Sequence, residues 1–154
     1  MAGPYLSTGQ FRTRITANDA EQQEELGIWR FEAGRVLRYV KAGALIPAGE
    51  IVQIDSSVVS GSPLLIGHQI IAAAGATNLC AGVVEATIAS LRFGWVTTYG
   101  PATARVDAVA PGSALGPSAL TGVLTIRNTS HFNAIAVALT SGLSAGSAVF
   151  VSIL

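Results

Sequence analysis

From Ile28 onward the chain is a succession of short apolar runs, each cut by glycine, proline, serine or asparagine before it can build a long helix. The runs IWRFEAGRVLRYVKA, EIVQID, SVV, PLLIGHQIIAAA, AGVVEATIA, RFGWVTTYG, ATARVDAVA, GVLTIRN, HFNAIAVALT and SAVFVSIL are rich in β-branched residues. Many alternate apolar with polar positions, the period-two pattern of a strand with one face buried. Roughly nine or ten strands at this spacing imply an all-β fold, a compact antiparallel barrel or sandwich. With 154 residues the chain has the length of one domain and can bury a core without disulfide or metal.

The joints between runs share a chemistry. IPAGEIV (Ile46 to Val52), VAPGSAL (Val109 to Leu115) and LSAGSAV (Leu143 to Val149) align on Gly49, Gly112 and Gly146, each with an apolar residue three positions before and after. Each reads as strand, tight turn, strand: Pro47 or Pro111 fixes φ at the first corner, and the glycine takes the positive φ that side chains resist. Separations of 63 and 34 residues exclude a solenoid, whose units stack at one period.

The first 27 residues differ. Residues 1–17 are polar and turn-rich, with Tyr5 and Phe11 beside Arg12 and Arg14. That composition cannot bury itself and predicts an extended arm lying along another surface. Asn18-Asp19-Ala20-Glu21 matches a capping box, EQQEEL supplies helix formers and Gly27 stands at a helix stop, so one short helix is expected. The division is therefore an arm and helix over 1–27 and a β-rich domain over 28–154, begun by Trp29 and Phe31.

Charge is unevenly spread. Of the 18 charged residues, 13 lie in the first 55 positions, and only Glu85, Arg92, Arg105, Asp107 and Arg127 follow. A surface so poor in charge is prone to self-association. Two readings follow: a large β core with a Ser/Thr-coated exterior, or a subunit that buries its flanks against copies of itself or a larger partner. A net charge of zero offers nothing to neutralise phosphates, so neither nucleic acid nor an anionic membrane is expected as a partner. Ser56 to Val84 is uncharged, but Gly61, Pro63, Gly67, His68, Gln69, Gly75 and Asn78 interrupt it, so it reads as strands rather than a membrane span. The N-terminus lacks an apolar signal region, which predicts synthesis in a cytoplasm. Cys80 is the sole cysteine and reads as a small buried hydrophobe.

Catalytic patterns are weak. Gly142 to Gly146 reads GLSAG, yet no helix, acid or histidine follows Ser144 to complete a hydrolase triad. His68 and His131 have no Cys, Asp or Glu at ligand spacing. No phosphate-binding glycine loop occurs. Glu50 with Asp55, and Glu24 with Glu25, read as turn, strand-end and helix-surface acids rather than a catalytic pair. Trp29, Phe93, Trp95 and Tyr99 could form a sugar platform, but aromatics alternating along strands read better as core. No enzyme activity, cofactor or metal is expected.

The blocks Arg35 to Asp55, Ala81 to Leu115 and Asn133 to Leu154 resemble the small capsid decoration, or cement, proteins of tailed bacteriophages. The likeness rests on turn and packing motifs: Ala42 to Gly49, Gly82 to Val84 with Tyr99 to Ala102, and Gly146 to Leu154. It implies a β-tulip-like module assembling as a homotrimer on the virion's capsid exterior, at local threefold positions, with the major capsid protein as partner. The arm residues Tyr5, Phe11, Arg12 and Arg14 are then the expected capsid contacts, and Pro47, Gly49, Pro111, Gly112 and Gly146 are structural. Other readings are a tail or fibre component, and a small β-clip module of a sugar-acid enzyme, which the IPAGEIV turn also resembles.

Overall fold

The computed structural model describes residues 11–57, 67–74, 80–127, 134–142 and 146–153. Among these residues ten strands follow in chain order: β1 (Trp29–Glu32), β2 (Arg35–Ala42), β3 (Ile51–Ile54), β4 (Gln69–Ala72), β5 (Cys80–Val84), β6 (Phe93–Ala104), β7 (Ala114–Pro117), β8 (Leu124–Ile126), β9 (Ala136–Ala138) and β10 (Ser147–Ser152). The all-β expectation holds. Five strands close a barrel in the order β2-β4-β3-β5-β6, with β6 returning to β2. Every junction is antiparallel except β2 with β4. Inside lie Val40, Ile46, Val52, Ile70, Val84, Ile88 and Val96, supplied by the alternating pattern of the sequence.

β6 runs for 12 residues, longer than the barrel needs. Its far half joins a second sheet, ordered β6-β10-β9-β7-β8. That sheet curls until β8 reaches the chain just beyond β6: Leu124 N–H donates to Arg105 O at 2.9 Å, and Asp107 N–H to Leu124 O at 2.7 Å. Ala102, Ala104, Val106, Leu115, Leu124, Val149 and Val151 fill this second lobe. The sequence splits RFGWVTTYG from ATARVDAVA at Pro101, but the strand runs through it. Residues 100–104 pair with β10 alone, so the other edge has no ladder bond for the missing N–H to break.

The recurrent turns hold the two lobes in register. Glu50 N–H donates to Pro47 O at 3.4 Å, and Gly49 has φ 82°. Pro47 thus opens the turn, and Ala48 takes the first corner assigned to proline from sequence. Gly49 N–H donates to Val84 O at 2.6 Å, while its carbonyl accepts from Arg105 N–H at 2.7 Å. Arg105 Nη1 also meets Glu50 Oε1 at 2.5 Å. At the second turn, Ser113 N–H donates to Ala110 O at 3.1 Å, with Pro111 at the corner and Gly112 at φ 80°. Gly146 has φ 66°.

Another turn has no glycine at its left-handed corner. Arg92 N–H donates to Ala89 O at 3.1 Å, and Leu91 occupies the left-handed position at φ 63°. The apolar residue before it, Ile88, exchanges two backbone hydrogen bonds with Ile46, at 2.9 and 3.0 Å. Val109 and Gly142 do the same in the second lobe, at 3.1 and 3.3 Å. Strand-turn-strand units therefore face each other within each lobe.

The short helix expected over 18–27 is absent; the described residues contain no helix. Asn18 Oδ1 accepts from Ala89 N–H at 3.0 Å instead of capping its own segment. Asp19 exchanges backbone hydrogen bonds with Phe93, both 3.0 Å, and Gly27 N–H donates to Tyr39 O at 2.8 Å. A ten-residue helix is marginal alone, and docking Leu26 and Ile28 onto the cluster of Leu37, Tyr39 and Trp95 outweighs it. Residues 11–17 of the expected arm also have a surface to lie along, and it is the protein's own. Phe11 meets Trp95 edge-on at 5.4 Å, and Trp95 Nε1 donates to Thr13 Oγ1 at 2.9 Å.

Two substitutions test the turn chemistry. At Gly49 a Cβ would stand 3.2 Å from Arg105 in left-handed backbone, so Gly49→Ala should lower unfolding free energy by about 1–2 kcal/mol. Leu91→Gly removes a left-handed side chain that is 62% exposed, and urea titration should show no loss beyond about 0.5 kcal/mol.

Candidate functional site

Of the four acids weighed as pairs, Glu24, Glu50 and Asp55 are spent on structure, while Glu25 is exposed. Glu24 Oε1 accepts from Arg12 N–H at 2.5 Å and Thr13 N–H at 3.0 Å. Glu50 is buried against Arg105. Asp55 accepts from Ser57 Oγ at 2.6 Å and Gln69 Nε2 at 3.0 Å, and the Ser57 hydroxyl holds its pKa below the usual carboxylate range. Glu85 binds Arg35 at 2.5 Å and Thr97 Oγ1 at 3.2 Å. No group of three His, Cys, Asp or Glu residues that could hold a metal occurs among the described residues. Nor is any helix there long and apolar enough to cross a membrane.

Burial quiets the nucleophiles. It pushes the Cys80 thiol up to about 11, leaving little thiolate near neutral pH. Burial also raises the Tyr39 hydroxyl to about 12. His68 is held below its ordinary value by burial and then by Arg38, whose Nη2 stands 2.9 Å from Nδ1. Ser144, His131 and Tyr5 lie outside the described residues.

Two contrasting surfaces remain. One is built by residues 11–41, which hold 11 of the 18 charges. Along 11–17 exposure alternates: Thr13 and Ala17 point inward, while Arg12, Arg14 and Thr16 point out. Phe11 is half-buried, with the Arg30 guanidinium 4.9 Å above its ring. The structure thus divides the expected contact residues: Phe11 anchors the segment to its own barrel, and the two arginines are free to meet something else. Nearby, Trp29 and Phe31 open β1 yet face solvent, at 47% and 77% exposure. Alternation explains this, since the same strand turns Arg30 inward over Phe11 and Trp95.

The other surface is the outer face of the second lobe. The four strands β6, β10, β9 and β7 contain no charged residue. Of the four aromatics weighed as a platform, Trp95 is buried, Phe93 is half-buried, and Trp29 and Tyr99 are exposed. They do not share one face: Trp95 packs against Tyr39, whereas Tyr99 packs edge-on against Phe150 at 5.2 Å.

No family model matches the chain, and no curated protein matches it in sequence. Among solved structures, the chain is similar to the N base of the head fibre gp8.5 of bacteriophage phi29. The two share a fold. The TM-score is 0.58 at 12% identity, over 75% of this chain and 92% of that one.

The docking of residues 11–17 has a measurable weight. Phe11→Ala should destabilise the protein by about 1–3 kcal/mol in urea titration, through lost burial and the lost ring contact with Trp95; a freely projecting segment would give no change.

Proposed function

We propose that this chain is a structural protein of a bacteriophage virion, carried on the outside of the head and bound to the major capsid protein lattice. The observation that carries the reading is the fold shared with a head fibre base over 92% of that chain. Two further features support it. Of the candidate acids, Glu24, Glu50 and Asp55 are tied into structural hydrogen bonds and ion pairs, and the charged and uncharged surfaces are separated on one molecule.

In this role the chemistry is binding. A protein that binds only the assembled lattice stabilises it by mass action, by about 2.7 kcal/mol per site at a hundredfold excess over Kd. Homotrimers at local threefold positions would join three such contacts through high effective concentration. Arg12 and Arg14 are the proposed lattice contacts, since they project from a segment that Phe11 and Thr13 hold in place. A second reading, the base of a head fibre, is favoured by the named role of the structural neighbour.

Co-sedimentation of the purified chain with empty expanded heads of its own phage separates the readings. A head-stabilising role predicts saturable binding at many sites per head and a raised head melting temperature. A fibre base predicts few sites and an unchanged melting temperature, and absence of binding overturns both. Arg12→Glu with Arg14→Glu should weaken binding at least about tenfold without loss of fold, because both side chains are exposed.

A further inference from the structure

The outer face of the second lobe is more than poor in charge; it is a continuous apolar band. The strand registers run Pro101 to Phe150 between β6 and β10, Phe150 to Val137 between β10 and β9, and Val137 to Ala114 between β9 and β7. Residues directly opposite on neighbouring strands share a face, so these four form one row across four strands. Their chain neighbours Ala102, Val149, Val151, Ala136, Ala138 and Leu115 are buried on the inner side. Tyr99 extends the row through its ring contact with Phe150. Leu139 adds a side chain that is 49% exposed, beside Val137 at 42%.

Charge stands only at the margins. Arg35 and Glu85, already paired with each other, border a groove of about 480 Å³ beside Pro101 and Thr103. At the other side Arg127 lies over Gly116. An apolar band with a polar rim is the surface expected of an interaction site.

We infer that the apolar row from Pro101 to Ala114, with Tyr99 and Leu139, is where copies of this chain meet one another. The charge distribution selects this occupant. A charged partner would desolvate its own ions against a face that returns no ion pair or charged hydrogen bond. The uncharged surface that matches it is supplied by the same chain at any concentration. Apart from Ala33 and Arg35, which border its margin, residues 11–41, rich in both signs of charge, then remain outside the self-contact and available to a different surface. This deepens the proposed self-assembly by naming its face, and it rests on that part of the proposed function.

The test is the oligomeric state of the full chain, measured by sedimentation velocity over a concentration series without heads. Wild type should be an oligomer. Val137→Asp with Leu139→Asp should weaken assembly about a hundredfold or more, because the new carboxylates would be buried unpaired. Both positions are exposed in the isolated chain, so circular dichroism should show an unchanged strand spectrum. Val137→Thr with Leu139→Thr, which suits strands, should weaken assembly in the same direction should the aspartates impair folding. Phe31→Glu, on the charged surface, should leave assembly intact. A wild-type monomer overturns the inference, as does assembly that survives both β9 pairs. Dispersal by Phe31→Glu alone moves the self-contact to the β1 hairpin and leaves self-assembly standing. Head binding is decided separately by co-sedimentation.

Discussion

Both lobes depend on β6. Its first half closes the barrel against β2 and β5, and its second half founds the other sheet against β10. Its side chains serve three environments in turn: Trp95 on the outer face of the barrel, Val96 within it, and Ala102 and Ala104 inside the second lobe. A strand that is buried in so many places cannot afford charge, and it has none. Trp95 carries the most exposed of these duties, and residues 11–28 are the cover that keeps it dry. Its indole N–H finds Thr13, and its ring finds Phe11 and Tyr39.

That arrangement explains the separation of surfaces. The cover must be polar outside because it is the outermost layer, so the charges gather on residues 11–41. The second lobe has no cover among the described residues, and its outer strands are as free of charge as their buried neighbours. Charge that would keep such a face apart from other molecules is missing, and the proposed contact between copies rests on that. The proposed role needs both kinds of contact, one to a lattice and one to neighbouring copies, and it assigns them to the charged and uncharged surfaces.

Much of the fold is legible in the sequence, because strand alternation and left-handed glycines act locally. The runs from Trp29 to Ala42 and from Ser147 to Ser152 become β1, β2 and β10 with little change, and Gly49 and Gly112 sit in the turns that their spacing implies. What the sequence conceals is decided by partners far along the chain. Asn18 carries helix-start chemistry and Glu24 stands among helix formers, but their side chains are claimed by Ala89 and by Arg12 and Thr13. Leu91 adopts a glycine-like conformation because the Ile46 to Ile88 pairing fixes the turn around it. Trp29 looks like core because it is aromatic, but burial there depends on which face β1 turns to the barrel. The apolar row is invisible along the chain, since Pro101, Phe150, Val137 and Ala114 become neighbours only through register.

In the proposed role the charged surface meets a capsid while the uncharged face meets other copies. An electron cryomicroscopy map of saturated heads measures this most directly. The proposed role predicts residues 11–41 against the major capsid protein, with the β9 and β10 faces of adjacent copies in contact. A map with β9 and β10 pressed on the lattice and Arg12 and Arg14 turned to solvent would contradict it.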